Sequence, residues 1–261
     1  MGSEPRKTGW MRAEAAGDPG PWRQQAILGR GQWDADALRD IVRDYTLETL
    51  ADEEAVLVID ETGFLKQGKA SCGVARQYTG SAGKITNCQI GVFASYVSRH
   101  GHAFIDRALR RSIADSELAF FSTWCSKGVS MEKLVSVEGH RWAIEDSFEA
   151  AKNELGLDHN ETRSWHGWHR HVSLAMLAFA MMAVIRHHAN AVPLENAAAS
   201  SDQAFLIRWS IQEIRRISGK LAQRRIQPTH IIAWSLWRRA HQADARRAHL
   251  KRANLKRNMQ L

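Results

Sequence analysis

VLVIDETGFLKQGKASCGVARQYTGSAGKITNCQIGVF, residues 56–93, decides the kind of fold this chain builds. Ala55–Asp60, AVLVID, is a continuous apolar run that ends in an acid. Six residues rich in Val suit a central strand buried on both faces. Asp60 then stands at the strand's C-terminal end, a common place for site residues in α/β sheets. A capping or turn-forming Asp is the plain alternative. Glu61-Thr62-Gly63 reads as the turn that leads the chain away. After a polar stretch over 65–73, Val74–Thr79, a Gly-Ser-Ala-Gly turn at 80–83 and Ile85–Val97 predict an antiparallel hairpin with a longer second strand. Arg99-His100-Gly101-His102 predicts another turn with both histidines exposed, and Ala103–Leu109 a further strand.

Upstream, residues 34–50 are helical by period. Leu38, Ile41, Val42 and Tyr45 form the stripe, and Asp34 is the N-cap. Residues 1–32 show no assignable element, although Trp10 and Trp22 are available to dock on the body. Downstream, Leu118–Cys125 reads as a strand and Met131–Val137 as a short helix. GHRWAIEDSFEAAKNELGLDH, residues 139–159, then reads as a helix ended by Gly156 or Asn160. Arg141, Glu145, Phe148 and Lys152 share one of its faces at 3.6 residues per turn. Two cations, a carboxylate and an aromatic on one stripe suit a helix that holds a metal at Glu145 and phosphate at its cations. A surface helix with i, i+4 ion pairs gives the same spacing.

Trp165–His171, WHGWHRH, has an H-x-x-H-x-H spacing, but no cysteine or acid lies close enough to complete a zinc site. Its mixture of aromatic and basic residues, Trp168 and Arg170 among them, suits contact with nucleic acid or packing over the preceding helix. His171–Asn190 is an apolar core helix. Its most apolar run, Val172–Ile185, falls short of the ~20 residues a bilayer requires, so no membrane role is expected. Residues 191–203 read as a linker and Phe205–Ser218 as an amphipathic helix. After Pro228 a last helix starts at Thr229. Trp234 and Trp237 lie on its apolar side, and Arg238, Arg239, Arg246 and Arg247 recur every two turns on the other.

The formal net charge of +8 is unevenly spread. From Arg208 onward there are 14 Lys and Arg against two acids, a balance of +12, which leaves −4 for residues 1–207. A basic tail of this kind is the electrostatic footprint of a nucleic-acid binder, or else a solvated basic helix. Cys72, Cys88 and Cys125 have no CxxC spacing and suit a reducing compartment. The first ten residues lack the apolar core of a signal peptide.

Arg141, Glu145 and Lys152 fill R-x3-E-x6-K, the core of the Y-x2-R-x3-E-x6-K motif of IS4-type transposases. The chain resembles the IS701 group of insertion-sequence transposases more specifically, through residues 56–93, 101–109 and 141–178 and the tail WRRAHQADARR at 237–247. The resemblance implies an α/β, RNase H-like (DDE transposase/integrase) core with a helical basic C-terminal region. Asp60 and Glu145 are then catalytic ligands of a Mg²⁺ or Mn²⁺ pair, and Arg141 and Lys152 contact DNA. In that chemistry water frees a 3′-OH, which attacks target DNA. The implied partners are double-stranded DNA at the terminal inverted repeats and at the target, in a bacterial cytoplasm beside the nucleoid; a homodimer is left open.

The chain departs from that family twice. Glu138 replaces the motif's Tyr, and the second catalytic Asp has no counterpart. The family text breaks near Arg110 and resumes near Leu118, as if an internal segment were deleted. Asp106 and Asp115 are the nearby acids, and neither sits in the family's context. The expected product is an incomplete RNase H-like domain over 51–190, flanked by residues 1–50 and a basic region at 191–261. It would have an exposed apolar edge and no strand transfer, and could remain as a DNA-binding remnant.

Overall fold

The computed structural model describes residues 9–110, 130, 137, 140–191, 207–222 and 226–258. The expected strand over 118–125, most of the helix over 131–137, Asp115 and the linker from 192 lie outside the described residues. The chain divides into two compact units. One runs from Ile27 to Leu221; the other joins Gly2–Ala26 to Ala222–Leu261. These limits differ from the expected 1–50, 51–190 and 191–261, because tertiary packing, rather than composition, decides which helix joins which core.

Helices α1 (Gly9–Ala16), α2 (Trp22–Leu28) and α3 (Ala35–Leu50) open the chain. The first two fall where no element was assigned. Asp34 caps α3 through a 2.7 Å bond from the Asp36 N–H. On α3 the core face is Val42, Thr46 and Leu50, with Leu38 and Tyr45 of the predicted stripe packed beside it, while Ile41 turns outward and is 60% exposed.

Four strands form one antiparallel sheet: β1 (Val56–Leu65), β2 (Ala75–Thr79), β3 (Lys84–Ser98) and β4 (Gly101–Leu109). β3 is its axis. Cys88 faces both Leu65 of β1 and Ala75 of β2, so these strands flank β3 on opposite sides. β4 pairs with Gly91–Ser98 and continues the β2 side. β1 is an edge strand among the described residues, which corrects the expectation of a central strand buried on both faces. Its inward residues Thr62 and Phe64 are buried, while Leu57 and Ile59 are 56% and 64% exposed. Nor does the strand end at Asp60. Glu61, Thr62 and Gly63 stay in register with Val92, Gly91 and Ile90, because β3 is long enough to pair with them.

The inward face is closed by α3, α4 (Trp142–Leu155) and α5 (Trp165–Ala191), with α6 (Ile211–Leu221) beside α4 and α5. Phe93, Phe104, Phe148 and Phe179 stack at centroid distances of 5.0–5.4 Å between sheet and helices. Such pairs contribute about 0.5–1.5 kcal/mol each beyond the area they bury. α4 ends on Gly156 at φ +70°, whose left-handed conformation turns the chain so that the Leu157 N–H reaches Ala151 O. α5 is long and apolar enough to cross a membrane, but Trp168, Val172, Met176 and Phe179 are buried in this core.

The second unit holds α1 and α7 (Pro228–Asn258). Pro228 occupies the helix's first position, where its missing N–H costs nothing. The Trp10 ring lies 4.6 Å from Trp237 and 6.5 Å from Trp234, whose indole N–H donates to Asp18 O.

Candidate active site

Asp60 sits in the middle of β1, opposite Phe93 and on the inward face with Thr62 and Phe64. Its Oδ1 accepts the Glu61 N–H at 2.7 Å. Glu145 lies in the first turn of α4, where the helix dipole favours a carboxylate. It stands 4.0 Å from Arg141, and both side chains are nearly half exposed, so this ion pair adds little stability. One turn on, Phe148 is buried with its ring 5.4 Å from Phe93. The two carboxylates therefore border the same contact: Asp60 as the cross-strand partner of Phe93, Glu145 as the residue one turn before Phe148.

Lys152 ends the predicted stripe in an unforeseen place. Its Nζ donates to Thr62 Oγ1 at 2.6 Å and Ser81 Oγ at 3.1 Å, reaches Gly63 O at 3.5 Å, and lies over the Phe64 ring. Burial pushes this amine below its ordinary pKa, while Asp158 opposes that. Lys152 thus ties α4 to β1 two residues beyond Asp60. Thr62 and Ser81, its partners, carried no signal in the sequence, because a hydroxyl in a strand or turn names no acceptor until the helix is docked.

Other predicted contacts are redirected by packing. Trp168 is 1% exposed against Phe64, out of reach of a solvent-borne duplex. Arg170 spends its guanidinium on the carbonyls of Trp33, Leu28 and Gly29 and stacks on the Trp33 ring. His169 and His171 bond the carbonyls of Trp165, Gly156 and Leu157. His102 is not an exposed turn residue: it lies 2.7 Å from Ser147 Oγ of α4, and burial lowers its pKa to about 4. On α7, Arg238 pairs with Glu14 and Arg247 with Asp244, while Arg239 and Arg246 are exposed.

Asp106 does not join Asp60. It faces Ala94, the neighbour of Phe93 in β3, and so lies on the opposite side of the sheet. Its Oδ1 accepts the Arg107 N–H and pairs with Arg39 at 3.3 Å. Among the described residues no three His, Cys, Asp or Glu side chains converge as a metal site. Asp60 and Glu145 alone do not fit a two-ion centre, which needs carboxylates on both ions about 3.5–4 Å apart.

The family model of the DDE superfamily endonucleases matches residues 3–148, more than half of the chain and a span that includes both Asp60 and Glu145. The chain belongs to that superfamily. A probable transposase for insertion sequence element IS701 from Microchaete diplosiphon is 38% identical over 66 residues. That match covers 25% of this chain and 17% of the relative, so the chain aligns with under a fifth of the curated protein's length. No solved structure matches. Enzymes of the DDE superfamily generally use divalent metal ions.

Proposed function

We propose that this IS701-type DDE chain binds double-stranded DNA of an insertion sequence and no longer carries out strand transfer. What supports the reading is the position of Asp106, the described acid nearest in sequence to a second catalytic Asp, on the other face of the sheet from Asp60, bound to Arg39, and the lack of any converging set of three His, Cys, Asp or Glu among the described residues. An internal deletion near 110–118 accounts for the missing second Asp and agrees with β1 lying exposed at an edge. The basic surface is independent of that loss. Arg239 and Arg246 are exposed on α7 with no ion pair among the described residues, and Arg141 adds a half-exposed cation beside Glu145. A DNA-bound, inactive chain would occupy terminal repeats against an intact transposase.

The test is nicking of a supercoiled plasmid that carries the element's ends, in Mg²⁺ or Mn²⁺. The expected result is no cleavage above that of Glu145→Ala. Cleavage at the ends that disappears in Glu145→Ala overturns the inactive reading and restores a working transposase.

A further inference from the structure

Within the Ile27–Leu221 unit, the β3–β4 turn, the last turn of α5 and the segment entering α6 enclose a cavity of about 340 Å³. It is lined by Arg99, His100, Arg186, His187, Arg208 and Trp209. Three guanidiniums and two imidazoles thus converge from three separate elements. Arg99 is balanced by Asp52 at 2.9 Å. Arg186 and Arg208 form no ion pair among the described residues, and the charge of Arg208 disfavours that of Arg186. Burial pushes Arg186 below its ordinary pKa, Arg208 pushes it further, and Asp146 opposes them. Gly101 makes room for this arrangement: a Cβ there would stand 3.3 Å from Arg186 Nη2. Asn190 fixes the third wall, with its Oδ1 accepting the Trp209 N–H at 2.9 Å and its Nδ2 donating to Trp209 O at 3.3 Å.

A helix dipole favours cations in its last turn, which in α5 holds His188 but neither Arg186 nor His187. The dipole does not account for Arg208, which arrives on another segment and lines the same cavity as Arg186, where Asp146 is the carboxylate whose charge reaches Arg186. A cavity that gathers like charges from distinct elements is stabilised by an anion, and a guanidinium pair matches the oxygens of a phosphate. We infer that the pocket between the β3–β4 turn and the end of α5 binds a phosphate group, with Arg186 and Arg208 as its principal donors. This rests on the DNA-binding reading for its natural source, a backbone phosphate, but the same chemistry would hold a free phosphate or nucleotide.

The test uses the full chain with Arg186→Gln, Arg208→Gln, the double variant and the charge-keeping Arg186→Lys, each checked for parent-like circular dichroism and Tm. Duplex binding is measured between about 50 and 200 mM salt, where each lost phosphate contact makes the slope of log K against log salt shallower by about 0.9. Inorganic phosphate is titrated in parallel by phosphorus NMR. The expected result is a slope shallower by about 0.9 for each Arg→Gln change, restored by Arg186→Lys. A double variant with an unchanged DNA slope and an unchanged phosphate titration overturns the pocket. Saturable phosphate binding that is lost in the double variant, with the DNA slope unchanged, supports the pocket and assigns it a free anion. A parent chain that binds no DNA overturns the proposed function alone, and the phosphate titration still decides the pocket.

Discussion

Lys152 shows how one side chain can satisfy a motif and still serve the fold. Three oxygens around its Nζ, from Thr62, Ser81 and Gly63, hold α4 to the strand that carries Asp60. Hydrogen bonds to a charged group contribute about 1.5–3 kcal/mol each. Lys152→Met keeps most of the packed volume and is expected to cost about 2 kcal/mol in denaturant unfolding, with little change in the salt dependence of DNA binding. Parent stability together with a slope shallower by about 0.9 would instead place the amine on a phosphate. His102 makes a second prediction at this scale. Its folded pKa of about 4 lies below the ordinary 6.5. Between these values the unfolded chain takes up a proton that the folded chain refuses, so stability falls as pH drops from 6.5 toward 4. The gap bounds the effect at about 3 kcal/mol, and His169, also lowered first by burial, acts in the same direction. His102→Asn, which retains a partner for Ser147, should flatten the stability profile over that range. An unaltered profile would show that His102 is not the group that titrates.

At the scale of elements, what could be read in advance was local. Asp34 caps α3, Gly156 ends α4 and Gly80–Gly83 turns β2 into β3, and each is written in the residues that do the work. What could not be read was which neighbour an element acquires. AVLVID has the same composition whether one or both of its sides are paired, and Glu-Thr-Gly reads as a turn until a 15-residue β3 extends alongside it. Gly63 is small because Thr79 approaches, with its Oγ1 only 1.9 Å from where a Cβ would stand, and not because the chain turns there. The Trp residues divide in the same way. Trp168 and Trp234 are both buried, although one was read as a DNA contact or as packing over the preceding helix and the other as apolar packing. For the candidate site, Asp60 and Glu145 were legible as a strand acid and a helix acid, but the Arg186–Arg208 pocket was not, because no spacing rule links residues on either side of 192–206. The edge position of β1 has a measurable consequence. An exposed apolar edge pairs with other chains. Leu57→Lys with Ile59→Lys, both on the outward face, should reduce concentration-dependent association in sedimentation velocity while leaving Tm near that of the parent. Undiminished association would mean that this face is covered.

For the whole molecule, charge and candidate chemistry occupy different parts of the chain. Residues 208–261 carry the +12 balance, whereas Asp60 and Glu145 lie within the segment whose overall balance is −4. Phosphate neutralisation releases counterions wherever the cations sit, and it requires neither a metal nor a third carboxylate. DNA binding should therefore be separable from the acids. Glu145→Ala is expected to bind duplex with the affinity and salt slope of the parent. Arg239→Ala with Arg246→Ala should lower affinity across all sequences and make the slope shallower by about 0.9 per residue, because neither guanidinium is engaged in an ion pair among the described residues. Fluorescence anisotropy over a salt series measures both. The two variants test different physics: a several-fold change on removing the Glu145 carboxylate would mean that DNA sits against it, since losing a negative charge there tightens binding. An unchanged Glu145→Ala beside a weakened arginine double variant places the binding free energy on the basic helix, where a defect in the carboxylate set leaves it intact.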